Sequence, residues 1–358
     1  MTETTGEVWN RYGPTAVRKA GRPGREVRPS STTIDVHAHV FIPAALDYVT
    51  PHLDPSSDAL VRFAAPETRA LNKKQEGDRR PIMASPDARF ADLDAMGIDK
   101  QMISPAPPQC YYAVPAEVGA KAARIINDGI AAIVAQHPTR YAALGSVPMQ
   151  DGDAAAAELE YAVKTLGFKG VEILTNVAGR ELSDPAFAPF WAKAEALGAW
   201  VFIHPSGFTD GRRLGRFYFS NVIGNPLETT IALHYLIFDG VLERHPGLKI
   251  MAAHGGGFLG AYHGRIDHAW GARSDSRGTL PQPPSTYLKR IYFDSIVFTP
   301  EQLRAMIAAY GADRILMGTD YPFDMGDYDP LGHLAASGLE PDVMAAIAGG
   351  NAQRLFGI

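Results

Sequence analysis

The sequence predicts an α/β chain closed into a (β/α)8 TIM barrel, and three observations lead there. Short apolar runs of strand length alternate with longer segments that carry apolar residues at helical spacing, a repetition that demands parallel pairing and right-handed crossovers. Counting the histidine-bearing run at 34–40 there are eight of them, the number that closes a barrel. No Gly-x-Gly-x-x-Gly follows the first run, which counts against an open doubly wound sheet, the runner-up architecture.

The elements follow in order. Residues 1–30 carry Arg11, Arg18, Lys19, Arg22, Arg25 and Arg28 without the apolar run of a secretory signal, and read as a basic arm ordered by a partner subunit. The barrel domain is expected over 31–358. Its first run, Ile-Asp-Val-His-Ala-His-Val, puts His37 and His39 two apart, so both point to one face with Cβ atoms roughly 7 Å apart. From there two imidazoles can reach one ion at about 2.0–2.1 Å. Residues 41–95 are rich in Pro, Asp and Arg and lack sustained periodicity before 90–96; a connection this long is expected to be a lid. Strand-like runs then fall at 101–104, 141–147, 170–174, 200–204, 249–254, 291–295 and 315–320, with helical patterns at 116–136, 153–166, 185–197, 226–244 and 301–311. Asn225-Pro226 and Thr299-Pro300 supply N-caps followed by proline in the first turn.

In a barrel of this kind the chemistry sits at the C-terminal strand ends. Those ends carry His37 and His39 on the first strand, His204 on the fifth, His254 on the sixth and Asp320 on the eighth. One strand-end histidine is an ordinary core residue; five ligand-type side chains on four strands point to a metal site. The other histidines read as bystanders: His52, His137, His245 and His333 in loops or at helix ends, His234 as core, His263 and His268 as surface. Lys169 precedes its strand and so points to the wrong end to bridge two ions, which favours one metal. Nitrogen and oxygen donors without thiolate suit Zn2+ first, with Mn2+ or Fe2+ as alternatives. The single cysteine, Cys110, excludes an intrachain disulfide and a four-cysteine cluster, and fits a reducing, cytoplasmic setting. A net charge of −5 gives no pull toward nucleic acid or anionic membrane, and no run is long enough for a membrane span.

At these residues the chain resembles the amidohydrolase superfamily, and within it the branch of aminocarboxymuconate semialdehyde decarboxylase and related nonoxidative decarboxylases. The resemblance covers 33–358 and is carried by Ala253-His254-Gly255-Gly256-Gly257, by 264–270, by Pro283-Pro284-Ser285, by 293–297 and by Gly318-Thr319-Asp320-Tyr321-Pro322-Phe323. It implies one zinc held by His37, His39, His204 and Asp320, with His254 as the acid–base residue beside the metal-bound water; the proton for the substrate carbon is then expected from that water or from Asp320 as the acid. It also implies an arginine followed by proline that binds the substrate carboxylate from the long insertion, matched by Arg80-Pro81. A second arginine is lent by the neighbouring subunit of a homodimer, matched by Arg265. The chain departs from the branch at Ser206, where the muconate-semialdehyde enzymes carry tryptophan. That departure changes the pocket floor and opens the substrate to ortho-hydroxybenzoates or other unsaturated acids.

The expected activity is therefore metal-dependent nonoxidative decarboxylation of a small unsaturated or ortho-hydroxyaromatic carboxylic acid. The rival from another class is a hydrolase or hydratase acting on a lactone, an amide or a double bond, because the same open metal position can activate water. A noncatalytic metal-binding barrel is the third reading. It fits poorly with an intact ligand set plus His254.

Overall fold

Eight strands alternate with helices in the computed structural model, which describes residues 24–54, 57 and 59–358. Most of the basic arm expected at 1–30 lies outside the described residues. The strands are β1 (Ile34–Val40), β2 (Lys100–Pro105), β3 (Tyr141–Gly145), β4 (Gly170–Leu174), β5 (Trp200–His204), β6 (Lys249–Ala252), β7 (Tyr292–Asp294) and β8 (Ile315–Leu316). They pair in parallel in that order. The ring closes where Val36 N–H donates to Met317 O (2.9 Å) and His39 N–H to Tyr321 O (2.8 Å). This is the (β/α)8 barrel the alternation predicts.

The principal helices are α1 (Pro66–Ala84), α2 (Ala116–Gln136), α3 (Gly152–Lys164), α4 (Ala188–Leu197), α5 (Asn225–Phe238), α6 (Gly264–Ala272) and α7 (Pro300–Tyr310). Caps set several of their starts: Asp151 accepts from Asp153 and Ala154 N–H ahead of α3, and Thr299 accepts from Gln302 N–H ahead of α7. Apolar stripes such as Ile126, Ile130 and Ile133 on α2 pack the outer ring against the sheet.

Three expectations change. Asn225 is not a cap: α5 continues from a π turn at Ser220–Gly224, and the Asn225 side chain instead accepts from Gly207 N–H (2.8 Å). The insertion after β1 is helical rather than an irregular loop, with Pro43–Val49, Ala59–Arg62, α1 and Phe90–Met96. Its sequence hides this because α1 is polar almost all round and buries only Gln75, Arg79 and Met83, one residue per turn. β6 and β8 are also shorter than the apolar runs 249–254 and 315–320. His254 and Asp320 have φ of 54° and 60°, and a residue in the left-handed region cannot continue a strand. β6 stops at Ala252, two residues before His254, and β8 at Leu316, four before Asp320, so each site residue sits on the turn beyond its strand.

Candidate metal centre

The two histidines of β1 are completely buried, and their outer ring nitrogens are committed. His37 Nδ1–H donates to Asp294 Oδ2 (2.7 Å), and His39 Nδ1–H to Pro105 O (3.1 Å). His204, at the end of β5, gives its Nδ1–H to Pro205 O (2.7 Å). A carbonyl can only accept, so the proton of His39 and of His204 sits on Nδ1 and the Nε2 lone pair faces inward. Those lone pairs converge: the Nε2 atoms of His37 and His39 are 3.1 Å apart, and His204 Nε2 is buried with no hydrogen-bond partner.

Asp320 completes the arrangement by dividing its oxygens. Oδ1 lies 3.3 Å from His37 Nε2, 3.1 Å from His39 Nε2 and 3.9 Å from His204 Nε2. Oδ2 faces His254 Nε2 at 3.2 Å. Lone pairs and a carboxylate packed this closely repel unless a cation sits among them. One donor atom each from His37, His204, His254 and Asp320 fits within 4.8 Å of the others, the size of a single-ion site. His39 Nε2, 3.1 Å from both His37 Nε2 and Asp320 Oδ1, crowds the same point, so the donors gathered here fit one divalent ion.

The electrostatics agree. Burial alone would depress His37, but the Asp320 and Asp294 carboxylates outweigh it and lift its pKa to about 10. Burial pushes His39 and His204 down, the latter well below the usual imidazole range. Asp320 is held well below the carboxylate range, burial being overcome by the charge of His37 and the bonds from the other histidines. In the absence of a metal the centre thus keeps one proton where the ion would go.

Behind these residues stand groups that the sequence reading assigned no role. Asp294 is a hub: Oδ2 takes His37 Nδ1–H and His254 N–H (2.8 Å), while Oδ1 takes Gly255 N–H (2.9 Å) and Ile296 N–H (3.1 Å). Asp35 ties β1 to β2 and to the segment after β8, accepting from Gln101 Nε2 (2.7 Å) and from Thr319 N–H (3.0 Å) and Oγ1 (2.6 Å). Glu172 on β4 is buried behind His39, with Oε2 3.5 Å from Nδ1, and burial raises its pKa to about 8. Their signal was available, since each is a lone acid in an apolar run of strand length.

The sequence-assigned arginines do not join this cluster. Arg80 lies on the exposed side of α1, paired with Glu76 (2.6 Å) and over the Phe41 ring. Its neighbour Arg79 is the buried one. Its guanidinium lies over the Phe323 ring (4.9 Å), which in turn packs edge-on against His39 (5.2 Å). Asp324 is 3.9 Å from Arg79, and Tyr218 lies against Asp324. Arg265 is exposed on α6. Of the other histidines, His333 is fully buried inside Pro330–Ala336, with Nδ1 on Asp327 (3.2 Å). His234 is half-buried and bonds Thr230 O.

The amidohydrolase family model matches residues 34–358. The chain belongs to the amidohydrolase family. Among this amidohydrolase's relatives, the 2-amino-3-carboxymuconate-6-semialdehyde decarboxylase of Dictyostelium discoideum is 35% identical over 276 residues, covering 76% of this chain and 77% of that one. The gamma-resorcylate decarboxylase of Rhizobium sp. (strain MTP-10005) is 31% identical over 297 residues, covering 75% and 86%. The crystal structure of 5-carboxyvanillate decarboxylase from Sphingomonas paucimobilis superposes with a TM-score of 0.81 at 28% identity, covering 92% of this chain and all of that one.

Proposed function

We propose that this amidohydrolase is a metal-dependent nonoxidative decarboxylase, a carbon–carbon lyase acting on a small unsaturated or ortho-hydroxyaromatic carboxylic acid. The observation that carries the reading is the divided Asp320 carboxylate: one oxygen joins three inward Nε2 atoms and the other is bonded to His254. Relatives bearing decarboxylase names at 31–35% identity support the same reaction.

His37, His39, His204 and Asp320 would hold one divalent ion, zinc by the donor set, with manganese or iron as alternatives. Bound there, the ion supplies a positive charge that stabilises the electron pair left on the substrate when CO2 departs. The remaining work belongs to side chains. The carbon–carbon bond breaks, CO2 leaves, and the carbon that keeps the electron pair takes a proton. His254 and Asp320 share a hydrogen bond and are positioned to hand that proton over. Asp294 fixes the backbone of His254 and the ring of His37 together, so the acid–base group and the ligand keep one geometry.

Residues 41–95 act as a helical cover. The segment leading into α1 is pinned to the loop after β5 by Ala65 N–H donating to Gly215 O (2.7 Å). Arg79 is a buried guanidinium of that cover, set over the Phe323 ring that packs against His39, and it takes the carboxylate-binding role that the sequence pattern gave to Arg80. Arg265, exposed and making no hydrogen bond or ion pair with the described residues, serves the neighbouring subunit of a homodimer.

The test is a panel of unsaturated and hydroxyaromatic carboxylic acids, assayed for CO2 with metal-replete protein. CO2 released with no net water uptake supports the lyase; water added to the product marks a hydrolase or hydratase and overturns it. His254→Ala should keep its metal while turnover falls by roughly 10²-fold or more. Loss of the metal in that variant would make His254 a ligand instead.

A further inference from the structure

His37 and His39 share one strand and one task, and a buried acid stands behind each. Behind His37 it is Asp294, in full hydrogen-bond contact. Behind His39 it is Glu172, whose Oε2 lies 3.5 Å from Nδ1, beside two other acceptors, Pro105 O at 3.1 Å and Ser104 Oγ at 3.3 Å. Glu172 is fully buried, and no hydrogen bond of good geometry reaches its oxygens: the Ser104 hydroxyl lies against the carboxyl but is shared with Ala38 O. The charges that reach Glu172 are those of the centre itself, His37 and Asp320.

A carboxyl shut away from water with no more than a shared hydroxyl for a partner is a costly thing to keep in a barrel core, where a leucine would fill the same space without that cost. A positive partner would offset that cost, and His39 is the ring that stands between Glu172 and the centre. An ion on Nε2 withdraws electrons from the ring and makes Nδ1–H a stronger donor. We propose that Glu172 is a positioning residue of the metal centre: its carboxyl shares the Nδ1–H of His39 with Pro105 O, fixes that ring, and sets how tightly the ion is held. The inference rests on the single-ion reading of the centre and goes beyond it, because a residue outside the ligand set then governs affinity.

The consequence runs in two opposite directions. Replacing Glu172 by leucine removes a poorly satisfied buried carboxyl, so the chelator-stripped protein should melt at the same temperature or higher. The same change removes the acceptor behind His39, so zinc should bind about 10- to 100-fold more weakly. Zinc dissociation constants of wild type, Glu172→Leu and Glu172→Gln are measured by competition with a chromophoric chelator, with visible spectra of the cobalt(II)-substituted proteins alongside. The expected result is the weakest binding in Glu172→Leu, an intermediate value in Glu172→Gln, whose amide oxygen still accepts, and a shifted cobalt band in both. Should Glu172→Leu fail to fold, Glu172→Gln carries the measurement alone. Constants within twofold of wild type and unchanged cobalt spectra overturn the role of Glu172 and leave the decarboxylase reading standing. Wild type that binds no zinc overturns both; wild type that binds zinc tightly yet releases no CO2 overturns only the reaction.

Discussion

Protons pinned on the outer nitrogens of His39 and His204 leave the centre short of positive charge on its inner side, and the proton on His37 answers that need. Its pKa of about 10 exceeds the ordinary 6.5 because Asp320 and Asp294 overcome burial. In the ion-free protein this protonation stabilises the fold fully below pH 6.5, and the contribution is lost as pH rises through about 10. An ion must displace the same proton, so its affinity climbs across the same window. The gap in melting temperature between zinc-loaded and chelator-stripped protein should therefore widen from about pH 6 to about pH 8.5. Scanning calorimetry of both forms checks it, and a gap that stays flat or narrows contradicts the placement of the proton. The five strand-end side chains that meet at the centre were legible because a strand has period two and a barrel gathers its C-terminal ends. Glu172 and Asp294 were legible only as buried acids: a single acid in an apolar run does not declare which histidine it stands behind.

At the scale of elements, the decisive local structures are those where regular geometry stops. From His254 to Gly257 every φ is positive, and this turn is what carries the His254 side chain off the end of β6 toward Asp320. At Gly256 (φ 76°) a Cβ would come within 2.6 Å of the Phe293 ring, so both backbone and space require glycine. Gly256→Ala should destabilise the protein by more than about 1 kcal/mol and misplace His254. Denaturant melts and turnover should fall together, and a variant as stable and active as wild type would contradict it. The insertion tells the opposite story, because the glycine-rich turn announces itself in sequence and the phase of a polar helix does not. Successive residues on α1 point about 100° apart, so which of Arg79 and Arg80 faces inward depends on packing against Phe323, a residue far off in the chain. Arg79→Ala should raise KM for acidic substrates roughly 10- to 100-fold, the worth of a charge-assisted hydrogen bond. Arg80→Ala, which loses a surface pair with Glu76, should leave KM nearly unchanged. The reverse ranking would restore the assignment made from the Arg-Pro pattern.

For the whole molecule, the question is whether one barrel makes a complete site. Arg265 projects from α6 into solvent, beside a surface that keeps Phe258 at 45% and Tyr262 at 67% exposure. Phe258 is held against α5 by its N–H on Thr230 Oγ1 (2.8 Å), so the aromatic face is fixed rather than loose. Large aromatics beside an arginine with no partner among the described residues are the composition of an interface core, and a two-fold axis through this face would bring each Arg265 to the opposite copy. A single-copy role for Arg265 would need the helix to turn inward, which its exposure argues against. The test mixes two inactive proteins, His254→Ala and Arg265→Ala, after dissociation and reassembly. If Arg265 serves the partner's site, a mixed dimer gathers both defects into one site and leaves the other whole. Half of the dimers are then mixed and each has one working site of two, so activity should return to about a quarter of wild type. If Arg265 acts within its own chain, both sites of the mixed dimer stay defective, and no activity returns although mass spectrometry finds the mixed species.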